Sequence, residues 1–198
     1  MFTIYEWIEY VAAGMAIFAF LPYMALVALG KAKPKLSTWL VFFVVDSLTL
    51  AGLLKMEVQP SLYIPIGFAV CAGLIFFLAL FKSEDKKFTA LDKYCLAISA
   101  VGVLVYLMTT DGIVTMLIGL AVMFTGSIPT MELVWKRPED ESLLFWTMSG
   151  VAAILAMFVP QNHQDVATFT YPLVILLINF PIMAMMILGH LYPRKEVL

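Results

Sequence analysis

Asp46 is the residue in this chain with the most chemistry to offer. It interrupts Leu36–Leu54, a stretch with no other Asp, Glu, Lys or Arg. If that stretch crosses a membrane, the carboxylate lies near the midplane, where inserting it costs about 2.5–3.5 kcal/mol. Such a group is expected to face the bundle interior or a wet cavity, binding substrate or carrying a proton. A structural carboxylate bonded to a neighbouring helix is the plainer alternative. Ser47 and Thr49 lie close by and offer hydroxyls. Asn179, in Leu177-Ile178-Asn179-Phe180-Pro181, is the second polar group at mid-span. Its amide needs partners for both oxygen and nitrogen. A bound solute would supply them, and so would interhelical bonds worth about 0.6–2 kcal/mol. Thr125, Ser127 and Ser149 are further midplane hydroxyls, although such groups commonly bond their own helix backbone.

Other chemistry is excluded by what is missing. Cys71 and Cys95 fall inside apolar runs, and no Cys-x-x-Cys, His-x-x-x-His or His-Glu-x-x-His occurs. His163 and His190 have no companion ligands, so neither a metal nor a cofactor is expected. Asp46 has no matched second acid or base at its depth, so an enzyme is not expected. The composition points the same way: 63% of residues are hydrophobic, 13% are charged and the mean hydropathy is +0.96. A soluble domain carries about 25% charged residues. A soluble enzyme, a disordered chain and a nucleic-acid binder are therefore excluded.

Positioning Asp46 and Asn179 requires membrane helices of about 20 residues each. Charge-poor stretches supply seven candidates: Tyr10–Gly30, Leu36–Leu54, Val58–Phe81, Tyr94–Thr110, Gly112–Met131 running on to Trp135, Ser142–Gln164 and Val166–Pro193. The expected fold is all-α and integral to a cell membrane, plasma or bacterial inner. Ser37 and Ser142 are expected to cap helices two and six. With the N-terminus outside, 11 basic residues lie inside, from Lys31, Lys33 and Lys35 to Arg194 and Lys195, and only Lys55 lies outside. That asymmetry favours an odd number of spans and a cytoplasmic C-terminus. Tyr5, Trp7, Tyr10, Tyr63 and Tyr171 are expected in the outer aromatic belt, and Trp135 and Tyr192 in the inner one. Glu132 is expected to pair with Lys136, four residues on.

The chain also repeats itself. At an offset of 107 residues, Pro22-Tyr23-Met24-Ala25-Leu26-Val27 meets Pro129-Thr130-Met131-Glu132-Leu133-Val134, Trp39 meets Trp146 and Pro65 meets Pro172. Eight identities fall in the 27 positions from Pro22 to Leu48. The expected units are residues 1–88 and 112–198, three helices each, with a linker helix in 89–111. A linking helix is needed for two three-helix units to point the same way, which makes a parallel 3+1+3 repeat. Pro22 and Pro129 each remove a backbone bond inside a helix and so could hinge it. Trp39 and Trp146 sit near the inner ends of their helices. They are either interfacial anchors or the walls of a gate or pocket.

The 3+1+3 plan, the proline in the first helix of each unit and the short basic loop after it resemble the SWEET and PQ-loop superfamily of transporters. The resemblance covers nearly the whole chain as architecture. The pair naming the PQ-loop group reads Pro22-Tyr23 and Pro129-Thr130 here, and helices two and six lack the prolines of the SWEET tetrad. The resemblance implies a sugar or similar small polar solute. It also implies a binding asparagine on the third helix of each unit; Asn179 fits, while its repeat mate is Ala72. The expected function is alternating-access transport through a site lined by Asp46, Ser47, Asn179, Ser149, Trp39 and Trp146. The alternative is an accessory or sensor protein that moves nothing. A retinal receptor is excluded by the absence of lysine from helix seven. The expected partners are the solute and the bilayer, and homo-oligomers are allowed.

Overall fold

The computed structural model describes residues 4–53, 63–82, 88–109, 112–158 and 166–191. They form seven α-helices and one 3-10 turn, with no strand among the described residues. The helices are α1 (Ile4–Ala28), α2 (Leu36–Leu53), α3 (Tyr63–Lys82), α4 (Ala90–Met108), α5 (Gly112–Lys136), α6 (Leu143–Ala156) and α7 (Val166–Leu191), and the turn is Pro138–Asp140. Pro22, Pro129, Pro172 and Pro181 all lie inside helices. Four helices are long and apolar enough to cross a membrane: α1, α4, α5 and α7.

The apolar parts of α2, α3 and α6 are shorter. The run Ser142–Gln164 yields a helix of only 14 residues, Leu143–Ala156, or about 21 Å against a core of about 30 Å. Residues 159–165 lie outside the described residues, as do His163, Lys55 and Tyr192. At the other ends the helices outrun the charge-free stretches. α1 takes in Glu6 and Glu9, and α4 takes in Asp92 and Lys93.

Two caps were expected and one forms. The Ser142 hydroxyl accepts from the Phe145 N–H at 3.3 Å. Ser37 is not a cap: α2 already begins at Leu36, and the Ser37 hydroxyl donates instead to Asp92 at 2.5 Å. Thr89 caps α4, with Asp92 answering in a capping box, the reciprocal arrangement that satisfies two orphan donors. α1 ends where Gly30 turns to φ +69°. There the Lys31 N–H reaches back to the Leu26 carbonyl at 2.9 Å, a helix stop that glycine adopts without Cβ strain.

Packing is specific. α1 lies on α6 and α3, α2 on α3, α5 and α4, α5 on α4 and α7, and α6 on α7. One end of the bundle gathers the α1–α2 connection, the α5–α6 turn and the start of α4. The Lys33 N–H donates to the Asp140 carbonyl at 2.7 Å, and Lys35 reaches Asp92 at 3.2 Å. Gly189 near the end of α7 packs on the Pro138 ring. We call this the basic end, because Lys31, Lys33, Lys35, Lys136 and Arg137 cluster there. Elsewhere the exterior is apolar. On α4, Ile98, Val101, Leu104, Leu107 and Met108 are exposed, a surface suited to lipid rather than water.

α2 and α5 approach closely at Gly126. A Cβ there would fall 2.5 Å from Val41 Cγ1 and 2.8 Å from Val41 Cβ. Valine in a helix has essentially one rotamer, so the helices themselves would have to part. Gly126→Ala should cost about 1–3 kcal/mol in detergent unfolding experiments. Gly14→Ala, where nothing lies within 4 Å, should cost nothing. Equal stability of the two variants would refute the close approach.

Candidate functional site

Hydrophobic packing near the basic end condenses around aromatic rings. Tyr23 of α1 stacks on Phe145 of α6 at 4.7 Å, and Trp39 of α2 lies 5.4 Å from Tyr23 and 5.7 Å from Phe145. Phe20 meets Trp39, Phe68 and Phe145 edge-on, and Trp146 meets Phe145 at 5.0 Å. Pairs of this kind add about 0.5–1.5 kcal/mol each beyond their buried area. Trp39 and Trp146 are only 1% and 2% exposed. The interfacial-anchor expectation is therefore overturned: both indoles are packed inside the bundle, in an aromatic plug formed by α1, α2 and α6. Tyr5, Trp7, Tyr10 and Trp135 are exposed, as belt residues should be.

A carboxylate sits against this plug. Glu141, just before α6, is buried. Its Oε2 accepts from the Tyr23 hydroxyl at 2.8 Å, the Trp146 indole N–H at 3.1 Å and the Ser142 N–H at 3.4 Å. Its Oε1 is buried with no partner. Burial pushes the Glu141 carboxyl up to about 7, the three donated bonds oppose that rise, and neighbouring Asp140 adds to it. Among the described residues no cation is bonded to Glu141: Lys33 and Arg137 are directed at Asp140, at 3.9 and 3.2 Å. In the sequence Glu141 ends the polar run Lys136-Arg137-Pro138-Glu139-Asp140-Glu141. One signal pointed to it, namely a tyrosine at position 23, a hydroxyl in an apolar helix that needs an acceptor.

The other indole has no such acceptor. Trp39 Nε1 is buried and closes no hydrogen bond of good geometry. At the repeat offset, Glu141 corresponds to Pro34, which has no side-chain oxygen. The same correspondence links two other contacts. The Thr130 hydroxyl donates to the Thr38 hydroxyl at 3.0 Å between α5 and α2, and the corresponding residues are Tyr23 and Phe145, the stacked pair between α1 and α6.

Asp46 lies seven residues beyond Trp39, two helical turns or about 10 Å farther from the basic end and on the same helix face. It is half-buried, and its carboxylate has no hydrogen bond or ion pair among the described residues. The structural alternative, a carboxylate bonded to a neighbouring helix, therefore finds no partner there. Ser149 stands one turn beyond Trp146 on the corresponding face of α6. Asn179 is buried and borders α6 at Gly150. Its Nδ2 donates to its own backbone at Ile175, 2.6 Å away, and its Oδ1 is buried without a partner. Asp46 and Asn179 sit on α2 and α7, which are not packing neighbours. Ser47 and Ser149 are half-buried. Thr49, Thr125 and Ser127 bond their own helix backbones, and Glu132 pairs with Lys136 as expected. Among the described residues no cluster of His, Cys, Asp and Glu could hold a metal. No protein-family model, curated protein or solved structure matches this chain.

Proposed function

We propose that the chain is a seven-span membrane transporter that moves a small polar solute by alternating access between two parallel three-helix repeats, with its N-terminus outside. The observation that carries this is the packing pattern. Exchanging α1 with α5, α2 with α6 and α3 with α7 turns α1·α6 into α5·α2, α2·α3 into α6·α7, and α1·α3 into α5·α7, while the contacts of α4 with α5 and α2 have no counterpart. The sequence offset that agrees with this exchange rests on eight identities from Pro22 to Leu48, among them Pro22 with Pro129 and Trp39 with Trp146. In this reading residues 1–88 and 112–198 are the moving units and α4 is the strap that lets them run parallel.

The polar groups then fall at two levels. Asp46, Ser47, Ser149 and Asn179 line the solute site near mid-bundle, and the unpaired Asn179 Oδ1 and the unpartnered Asp46 carboxylate are its recognition groups. Below them, Trp39, Trp146, Tyr23 and Phe145 close the cytoplasmic side. Pro22 and Pro129 adjoin Tyr23 and Thr130, the residues that join the halves, which is where a hinge would act. A sugar is the solute class implied by the resemblance to SWEET transporters, while a carboxylate in the site also fits an amine.

The test is counterflow of labelled sugars, amino acids and amines in proteoliposomes. Exchange of at least one solute class is expected. Asn179→Leu should weaken that exchange about tenfold, through the loss of a hydrogen-bonding group. Absence of exchange across the panel would refute transport and leave the accessory-protein alternative. Labelling of single cysteines by a membrane-impermeant reagent checks orientation: position 5 should react from outside, and position 139 should not.

A further inference from the structure

Glu141 bridges the two halves of the molecule. Its Oε2 is held by Tyr23 from the first three helices and by Trp146 from the last three, while its Oε1 is buried and bare. All three donors converge on one oxygen, so the other is the natural position for a proton. We infer that Glu141 is a proton-binding site that ties proton release to opening of the basic end. The carboxyl carries a proton on Oε1 while Tyr23 and Trp146 enclose it, and it loses that proton to water when the plug parts.

The surrounding charges agree with this. α1 contributes Tyr23, and α6 has no ionisable side chain. The connection before α2 contributes Lys33 and Lys35, which pair with Asp140 and Asp92, and Lys31, which is exposed, as is Lys82 at the end of α3. The turn before α6 contributes Arg137 and Asp140, which pair with each other, and Glu139, which is exposed. On α5, Lys136 pairs with Glu132. On α7, His190 is exposed, with Nδ1 2.7 Å from its own helix carbonyl at Met186. Every described cation near the site is thus directed to another acid or to water, which leaves a proton as the species that neutralises Glu141.

The sign follows from linkage. In the closed end the group titrates at about 7, and in an open, hydrated end it returns toward about 4.3. Closure is therefore favoured at low pH, and that preference is lost as pH rises through about 7. Between these values opening releases close to one proton. The balance between closed and open shifts by up to about two orders of magnitude across the window. If the chain transports as proposed, the proton leaves on the cytoplasmic side with the solute. The proton site itself does not depend on that reading.

The experiment needs no solute. In purified protein with Cys71→Ala and Cys95→Ala, a reporter Thr38→Cys is placed beside the plug. Its maleimide labelling rate is followed from pH 5.5 to 8.5 and normalised to a free thiol at each pH. The rate should rise about tenfold, with a midpoint near 7. In Glu141→Gln the rate should stay low and flat. In Tyr23→Phe the midpoint should move upward, because one bond favouring the ionised carboxyl is gone. Should Glu141→Gln fail to fold, Trp146→Phe provides the second upward shift. A flat profile in the parent, a parent-like profile in Glu141→Gln, or unchanged midpoints in both Tyr23→Phe and Trp146→Phe would overturn the inference. Absence of solute counterflow would instead overturn the transport reading and leave the proton site standing.

Discussion

Leucine at position 46 should give a protein that folds at least as well as its parent and moves nothing. The two halves of that result have separate causes. Asp46 is half-buried inside an apolar helix, and its carboxylate has no bonded partner among the described residues. If α2 spans the membrane as proposed, removing this unpaired acid relieves a cost of about 2.5–3.5 kcal/mol. Asp46→Leu should therefore unfold at a higher temperature in detergent, or at worst at the same one. On the transport proposal, uptake should fall at least about a hundredfold, because the proposed site loses its charge. Asp46→Asn should keep the shape and most of the loss, while Asp46→Glu should keep partial uptake. A destabilised Asp46→Leu would mean that the carboxylate holds helices together. Full uptake in that variant would remove Asp46 from the mechanism.

Asp92→Ala should be the most destabilising single change to the polar framework. The Asp92 carboxylate is buried and accepts from Lys35 at 3.2 Å, Ser37 at 2.5 Å, the Thr89 N–H at 2.8 Å and the Thr89 hydroxyl at 2.7 Å. It caps α4 and ties that helix to α2 in one group. Removing it leaves the Ser37 hydroxyl and a half-buried ammonium without their acceptor. Breaking a buried pair costs about 3–5 kcal/mol, and partial water access to Lys35 brings the expected loss to about 2–4 kcal/mol. Denaturation in mixed micelles reads it. Glu132→Ala, which breaks the exposed pair with Lys136, should cost under about 0.5 kcal/mol. Equal losses in the two variants would contradict the framework role of Asp92.

The proposed repeat rests on proline and tryptophan, which are rare and geometrically demanding, so Pro22 with Pro129 and Trp39 with Trp146 stand out from an apolar background. The helices were legible because charge is excluded from them. Charge also blurred their ends. The charge-free run begins at Tyr94, yet a capping box starts α4 earlier and draws Asp92 and Lys93 into it. Ser37 looked like a cap and is instead a donor to Asp92, a partner 55 positions away that no local pattern encodes. Glu141 was hidden most completely. It follows Glu139 and Asp140 in a run that reads as solvated, and its burial is created by Tyr23, 118 positions away. Asp46 was legible as an oddity, but its lack of partners is a fact of packing alone.

In the proposed two-unit arrangement Thr38 and Thr130 mark the seam between the units, their hydroxyls 3.0 Å apart. Alternating access requires that seam to move. Cysteines at both positions, in protein with Cys71→Ala and Cys95→Ala, should form a disulfide on oxidation. Counterflow of the identified solute through this variant in proteoliposomes is the measurement. The expected result is loss of exchange on oxidation and its recovery on reduction. Exchange that continues unchanged through the cross-linked protein would contradict the two-unit mechanism.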